Sequence, residues 1–144
     1  LETPDSGTIE NVPEKTAYLF QEDRLCLEVS ALENVLLVHK KISEDKGRQI
    51  QSDLTKVLGE KWVNQPAGVL SGGMRRRVAF LRALYKDSNL LLLDEPFTGL
   101  DEKSKQQMYE LLEKSRDGRI VIFTTHENQE VANLSGIRVE LWNE

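Results

Sequence analysis

The sequence predicts an α/β domain built on a parallel β-sheet, and three observations predict it. Segments with strand and helix character alternate through the second half of the chain. Two of the strands, Leu90–Leu93 and Arg119–Thr125 with its Ile-Val-Ile-Phe run, are almost wholly apolar, as parallel strands covered on both faces are. Residues able to do chemistry stand where the strands end: Gln21, Asp94-Glu95 and His126. Open α/β sheets bind their ligands at such carboxyl ends.

The elements follow in order. Pro4, Asp5, Ser6 and Gly7 mark a turn. Thr8–Val12 is expected as a short strand and Ala17–Gln21 as a buried one. From Ala31 to Gly68 the texture is helical: Leu32, Val35, Leu36 and His39 recur at helical spacing, as do Ile50, Leu54, Val57 and Leu58. Ser43-Glu44-Asp45 is a helix start, and Gln65-Pro66-Ala67-Gly68 is a turn. Ser71 stands at the N-cap of a helix running to about Lys86. The strand Leu90–Leu93 comes next. Asp101 then caps a helix to about Ser115, which Asp117-Gly118 closes. After Arg119–Thr125, His126–Leu134 reads as helical and Ile137–Trp142 as a final strand. The expected division is a core of residues 1–33 and 87–144, with a helical subdomain, 34–86, that includes the Gly-Gly helix start.

Asp94 offers the hard oxygen that Mg²⁺ takes from one or two carboxylates alongside substrate phosphates. Glu95 points elsewhere and is a candidate to accept a proton from an attacking water. The plainer alternative is a strand that ends in two solvated acids. At Leu70–Met74 (LSGGM), Gly72 and Gly73 have no Cβ, so a ligand can approach the backbone closely. The free N–H groups and the helix dipole favour an anion there, and the Ser71 hydroxyl can reach a phosphate. Arg75, Arg76 and Arg77 occupy the first turns, where each positive charge costs about 0.3–1 kcal/mol if exposed. A nearby anion would offset that cost, and so would a salt bridge. His126 is placed to reach a γ-phosphate, and the Gln21 amide to ligate Mg²⁺ or orient water. Gly99-Leu100-Asp101 is a turn into a helix. His39 reads as a surface or packing residue, Trp62 and Trp142 as packing residues, and Cys26 as an ordinary buried one.

The 144 residues carry a net charge of −5 with no basic footprint, which argues against a nucleic-acid partner. A single cysteine allows no intramolecular disulfide and fits a reducing cytosol. The longest apolar runs are far too short to span a bilayer, so a membrane link is expected through a partner.

Taken together, the segments resemble the ATP-binding cassette (ABC) ATPase family. FQEDRL at Phe20–Leu25 resembles its glutamine loop, and LSGGM with RRRVAFLRAL its signature motif and helix. LLLLDEP resembles its Walker B strand, TGLD at Thr98–Asp101 its D-loop, and His126 its switch histidine. The insert around SALENV is most similar to bacterial importer cassettes of the nitrate and sulfonate type. The resemblance implies a P-loop NTPase-like parallel sheet with a helical subdomain insert, its N-terminal part missing. It implies ATP and Mg²⁺ as cofactors. Glu95 and His126 would be catalytic, with Gln21, Ser71, Gly72, Gly73 and Asp101 at the nucleotide and Asp94 and Gln21 at the metal. The implied partners are a second ABC ATPase subunit, head to tail, and a transmembrane permease. The implied location is cytoplasmic, peripheral at the inner face of the cell membrane. LSGGM would then face a nucleotide held by the second subunit, while Glu95 serves one held in cis.

Two departures shape the expectation. Met74 stands where the family has Gln. No GxxxxGK[ST] loop occurs in the 144 residues, and LETPDSGTI resembles the segment just after that loop's helix. A fragment is therefore expected, unable to turn over ATP alone and leaving apolar strand edge exposed. The alternative is a non-catalytic partner that donates its LSGG motif in trans to an intact cassette.

Overall fold

The computed structural model describes residues 5–116, 118–134 and 136–140. Three parallel strands form one sheet: β1 (Thr16–Leu19), β2 (Leu90–Asp94) and β3 (Ile120–Thr124), in the order β1-β2-β3. The register sets Leu19 beside Leu93, Leu93 beside Phe123, and Asp94 beside Thr124. All three strands therefore end on one rim.

Strand alternation turns Ala17, Leu19, Leu91 and Leu93 to the same face, and all four are buried. The helix α4 (Gly72–Tyr85) covers β1 from that side and buries Val78, Ala79, Phe80, Leu81, Ala83 and Leu84. Phe97, just past β2, is fully buried at the centre of an aromatic cluster. Its ring lies 4.6 Å from that of Tyr109, 6.1 Å from Phe80 and 6.3 Å from Phe123. Tyr109 belongs to α5 (Glu102–Ser115).

A helical layer lies beyond α4: α1 (Ala31–Leu36), α2 (Glu44–Leu58) and α3 (Glu60–Val63). Local chemistry starts these helices. Ser30 and Glu33 form a reciprocal capping box on α1, and Ser43 accepts the Lys46 N–H on α2. Two polar ties join the layer to the rest. The buried Asn34 amide donates to the carbonyls of Cys26 and Ser30 and accepts the Cys26 N–H at 2.9 Å, so α1 holds the segment after β1. The Tyr85 hydroxyl donates to buried Asp53 at 2.5 Å, which joins α4 to α2. The last element is α6 (Asn128–Asn133). Among the described residues no helix is long and apolar enough to cross a membrane.

Several expectations need correction. Thr8–Val12 is not a strand; Ile9 and Val12 are exposed, no strand among the described residues pairs with this segment, and Pro13 brings no donor. Residues 137–140 likewise form no strand, and Trp142 lies outside the described residues. Asp117 is also outside them, although Gly118 has the positive φ of 71° that a turn there requires. The helix after His126 starts two residues later than expected. Cys26 is exposed, because its backbone rather than its thiol is what Asn34 holds.

The face opposite α4 is only partly covered among the described residues. There Leu90 is buried and Tyr18 and Leu92 are half-buried, but Ile120 and Ile122 are 56% and 53% exposed. This exposed apolar stretch ends in the unpaired outer edge of β3. The isolated chain should therefore self-associate as its concentration rises. Ile122→Lys should shift it toward monomer in sedimentation velocity at a stability cost of only about 0.5 kcal/mol, as for other surface changes. A wild-type chain that stays monodisperse and monomeric would contradict this.

Candidate functional site

The site is built where the three strands end. β2 stops at Asp94, and Glu95 turns into the left-handed region with φ 44°. That conformation costs a residue with a Cβ about 1–2 kcal/mol, so something must hold it. The turn then closes on itself, with the Thr98 N–H donating to the Glu95 carbonyl and the Leu100 N–H to that of Phe97, both at 3.3 Å.

Arg76 provides the main restraint. Its side chain is 8% exposed and reaches from α4 under the rim. Nη2 donates to the carbonyls of Asp94 at 2.6 Å and Glu95 at 2.8 Å. Nη1 donates to the carbonyls of Phe20 at 2.6 Å and Gln21 at 3.1 Å, with the Asp23 carboxylate 3.4 Å away. One guanidinium thus ties the exits of β1 and β2 to the helix that carries Gly72 and Gly73.

The side chains of the acid turn are also held. The Glu95 carboxylate accepts the Thr98 hydroxyl at 3.3 Å through Oε2, and its Oε1 lies 3.4 Å from His126 Nδ1. The Thr124 hydroxyl accepts the Glu95 N–H at 3.1 Å and donates to Asp94 Oδ1 at 2.6 Å. The segment bearing His126 is fixed from α5. The Lys105 ammonium donates to Glu127 at 2.6 Å and to buried Glu130 at 2.9 Å, and Thr125 donates to the second oxygen of Glu130. Burial pushes Lys105 down, but the two carboxylates outweigh it and hold the amine above its ordinary value.

The structure answers the puzzle of the arginine run. Arg75 donates to the Leu70 carbonyl at 3.0 Å, Arg76 is committed as above, and Arg77 donates to the Ser104 hydroxyl. Carbonyls and a hydroxyl of the chain itself receive these charges, so no bound anion is needed to explain them.

Gln21, Gly72, Gly73 and Glu95 border a common cavity of about 330 Å³, completed by Asp23, Arg76, Thr98 and Gly99. Ser71 caps α4 by accepting the Met74 N–H at 3.3 Å. Asp101 caps α5 by accepting the Ser104 N–H at 2.8 Å, a bond that holds its carboxyl below the usual value. Neither cap lines the cavity. Asp94 and His126 adjoin it through Thr124 and Glu95. The sequence reading missed Arg76, Thr98, Lys105 and Thr124 as residues that shape the site.

A one-directional sheet with acid, amide and imidazole at its carboxyl rim defines an α/β protein that takes its ligand at that rim. Comparison with known proteins narrows the class. Residues 1–98 match the family described as ABC transporter. The formylaminopyrimidine import ATP-binding protein ThiZ of Halalkalibacterium halodurans is 36% identical over 147 aligned positions, covering 94% of this chain and 57% of that protein. The aliphatic sulfonates import ATP-binding protein SsuB 3 of Rhodococcus jostii is 36% identical over 139 positions, covering 94% of this chain and 50% of its own length. A dimeric structure of MJ0796, a bacterial ABC transporter cassette, superimposes with a TM-score of 0.69 at 31% identity, covering 83% of this chain and 55% of that one. The chain belongs to the ABC transporter family, and its fold is that of the ABC ATPase cassettes. It spans about half the length of the curated relatives it matches.

Arg76→Met should destabilise the chain by roughly 2–4 kcal/mol in denaturant titration, because four carbonyls in part-buried hydrogen bonds lose a charged donor. Arg76→Lys should recover only part of this, since an ammonium lacks the planar fork. Equal stability of wild type and Arg76→Met would refute the restraint.

Proposed function

We propose that this chain is part of the ATP-binding subunit of a small-molecule ABC importer, coupling ATP binding and hydrolysis to transport. The observation that carries the reading is the acid turn: Glu95 stands at the carboxyl rim with His126 Nδ1 3.4 Å from its carboxylate. In this reading Glu95 polarises the attacking water and His126 stabilises charge at the γ-phosphate. The names of the relatives, ATP-binding proteins for formylaminopyrimidine and sulfonate import, support transport inward. A second neighbour, MJ0796 bound to ADP and Pi at 30% identity, supports the nucleotide.

Asp94 and Gln21 are the residues that would meet Mg²⁺. Among the described residues no group of three or more His, Cys, Asp or Glu is placed to hold a metal. That suits an ion brought by a triphosphate and bound through one or two carboxylates. The ion would supply charge neutralisation on the β- and γ-phosphates.

Gly72 and Gly73 support a nucleotide-facing role for the signature. A Cβ on Gly72 would meet nothing within 4 Å, and one on Gly73 would make only ordinary contacts at 3.6 and 3.7 Å. Neither glycine is required by packing within this chain, so the open backbone is free for a ligand or partner, with Ser71 beside it. The cavity they share with Glu95 is lined by the carboxylates of Asp23 and Glu95 against one committed guanidinium. In this reading the signature serves a nucleotide presented by a second, head-to-tail cassette. Asp101 would fix the D-loop at that interface. In the same reading the chain divides into a core of residues 1–33 and 87–144 and a helical subdomain of 34–86, although α1 (Ala31–Leu36) spans that boundary; the helical layer would meet a transmembrane permease, with the protein peripheral at the cytoplasmic face of the membrane.

The second reading is donation of LSGG in trans to an intact cassette; the open backbone at Gly72 and Gly73, which no packing within this chain requires, favours it. Assays of ATP hydrolysis separate the readings. The chain alone should show no turnover. Joined to the phosphate-loop half of a sulfonate-importer cassette, it should hydrolyse ATP, and Glu95→Gln should cut the rate about 100-fold or more. Gly72→Ala should lose activity while keeping or raising the melting temperature, as Gly→Ala at a compatible site stabilises by about 0.4–1 kcal/mol. Full activity in the joined Glu95→Gln protein would sink the catalytic reading. Rescue of an intact cassette that needs Gly72 but not Glu95 would favour the second.

A further inference from the structure

The Thr124 hydroxyl makes two bonds that no other group in the site makes. It donates to Asp94 Oδ1 at 2.6 Å and accepts the Glu95 N–H at 3.1 Å. The direction of each bond is settled by chemistry: a carboxylate only accepts, and an amide only donates. The hydroxyl is therefore used in both senses at once. The cause is the register. Asp94 pairs with Thr124 across β2 and β3, so their side chains project on the same side of the sheet. A β-branched residue in a strand also has few χ1 choices, which fixes the direction of the hydroxyl.

The two bonds have different consequences. The amide bond holds Glu95 in its left-handed turn from the side opposite Arg76, whose donors take the Asp94 and Glu95 carbonyls. The carboxylate bond restrains Asp94, which is solvent-exposed and meets no other side-chain partner at this oxygen among the described residues. It leaves the second oxygen, Oδ2, free to meet a cation. Lys105 does not share this role, since its ammonium is spent on Glu127 and Glu130 beyond His126.

We propose that Thr124 is a positioning residue that presents the Asp94 carboxylate to the divalent cation of the nucleotide and holds Glu95 in register beside it. The inference rests on the reading of Asp94 as the residue that meets the metal. Thr124→Val keeps shape and strand preference but removes the hydroxyl. Thr124→Ser returns the hydroxyl without the methyl group.

The test uses the chain joined to the phosphate-loop half of a sulfonate-importer cassette, as in the hydrolysis assay, with Mn²⁺ and ATP as the probe and paramagnetic broadening of the Asp94 resonances as the readout. In the wild type, broadening should centre on Asp94. Thr124→Val should raise the Mn²⁺ concentration for half-broadening about tenfold, at the lower end of the 10–100-fold losses seen when a residue that orients a metal ligand is removed. Thr124→Ser should stay within about twofold of wild type, and all three proteins should melt within a few degrees of one another. Asp94→Asn should abolish the effect. If Asp94→Asn removes the broadening while Thr124→Val titrates like wild type, the positioning role is wrong and the reading of Asp94 stands. Equal loss in Thr124→Val and Thr124→Ser also overturns it, since the hydroxyl would not be what matters. If Asp94→Asn titrates like wild type, or the wild type shows no broadening at Asp94, the reading of Asp94 fails and takes the proposal with it.

Discussion

A single buried guanidinium, that of Arg76, sets the geometry on which the rest of the site depends. Parallel strands that end together leave carbonyl oxygens without ladder partners, and buried acceptors must find donors. Arg76 meets Phe20, Gln21, Asp94 and Glu95 with its two terminal nitrogens. Only arginine brings a planar fork with so many donors and a permanent charge. Its desolvation is offset by these bonds and by Asp23 nearby. The outcome is that the glutamine segment, the acid turn and the signature helix are joined through one side chain.

The remaining restraints build outward from that joint. Glu95 is held in an unfavourable backbone region between the donors of Arg76 and the hydroxyl of Thr124. His126 reaches Glu95 from a segment that Lys105, Glu127 and Glu130 lock to α5. The polar end of the sheet is thus over-determined, and strain at Glu95 is sustained by its surroundings. The stretch of the other face at Ile120 and Ile122 is the opposite case: apolar surface that no described residue covers. Organisation is concentrated at the rim, where chemistry is expected.

Much of this was legible in the sequence because much of it is local. The caps at Ser43, Ser71 and Asp101 depend on residues three positions apart, and each forms as read. The strands β2 and β3 announced themselves by apolar runs, and Gln21, Asp94-Glu95 and His126 do lie where strands end. What failed was non-local. Thr8–Val12 has strand composition, but strand structure needs a neighbour. Coverage of both sheet faces was inferred from composition, and among the described residues one face is covered only in part. Cys26 was assigned by residue type, yet a buried asparagine at position 34 decided how its segment lies. Three consecutive arginines gave no sign of which one turns inward, because that depends on α4 lying over β1. Thr124 was invisible for the same reason, since only the register of β2 against β3 brings it to Asp94.

The central claim is that Arg76 pre-forms the acid turn before any nucleotide arrives. The most direct measurement is amide hydrogen exchange at Glu95 in the nucleotide-free chain, wild type against Arg76→Lys, under conditions where both are fully folded. The account predicts strong protection of the Glu95 amide in the wild type. In Arg76→Lys it predicts exchange about tenfold faster there, the equivalent of one lost hydrogen bond, with the amides of α2 unchanged. An unprotected Glu95 amide in the wild type, or identical exchange in the two proteins, would contradict it.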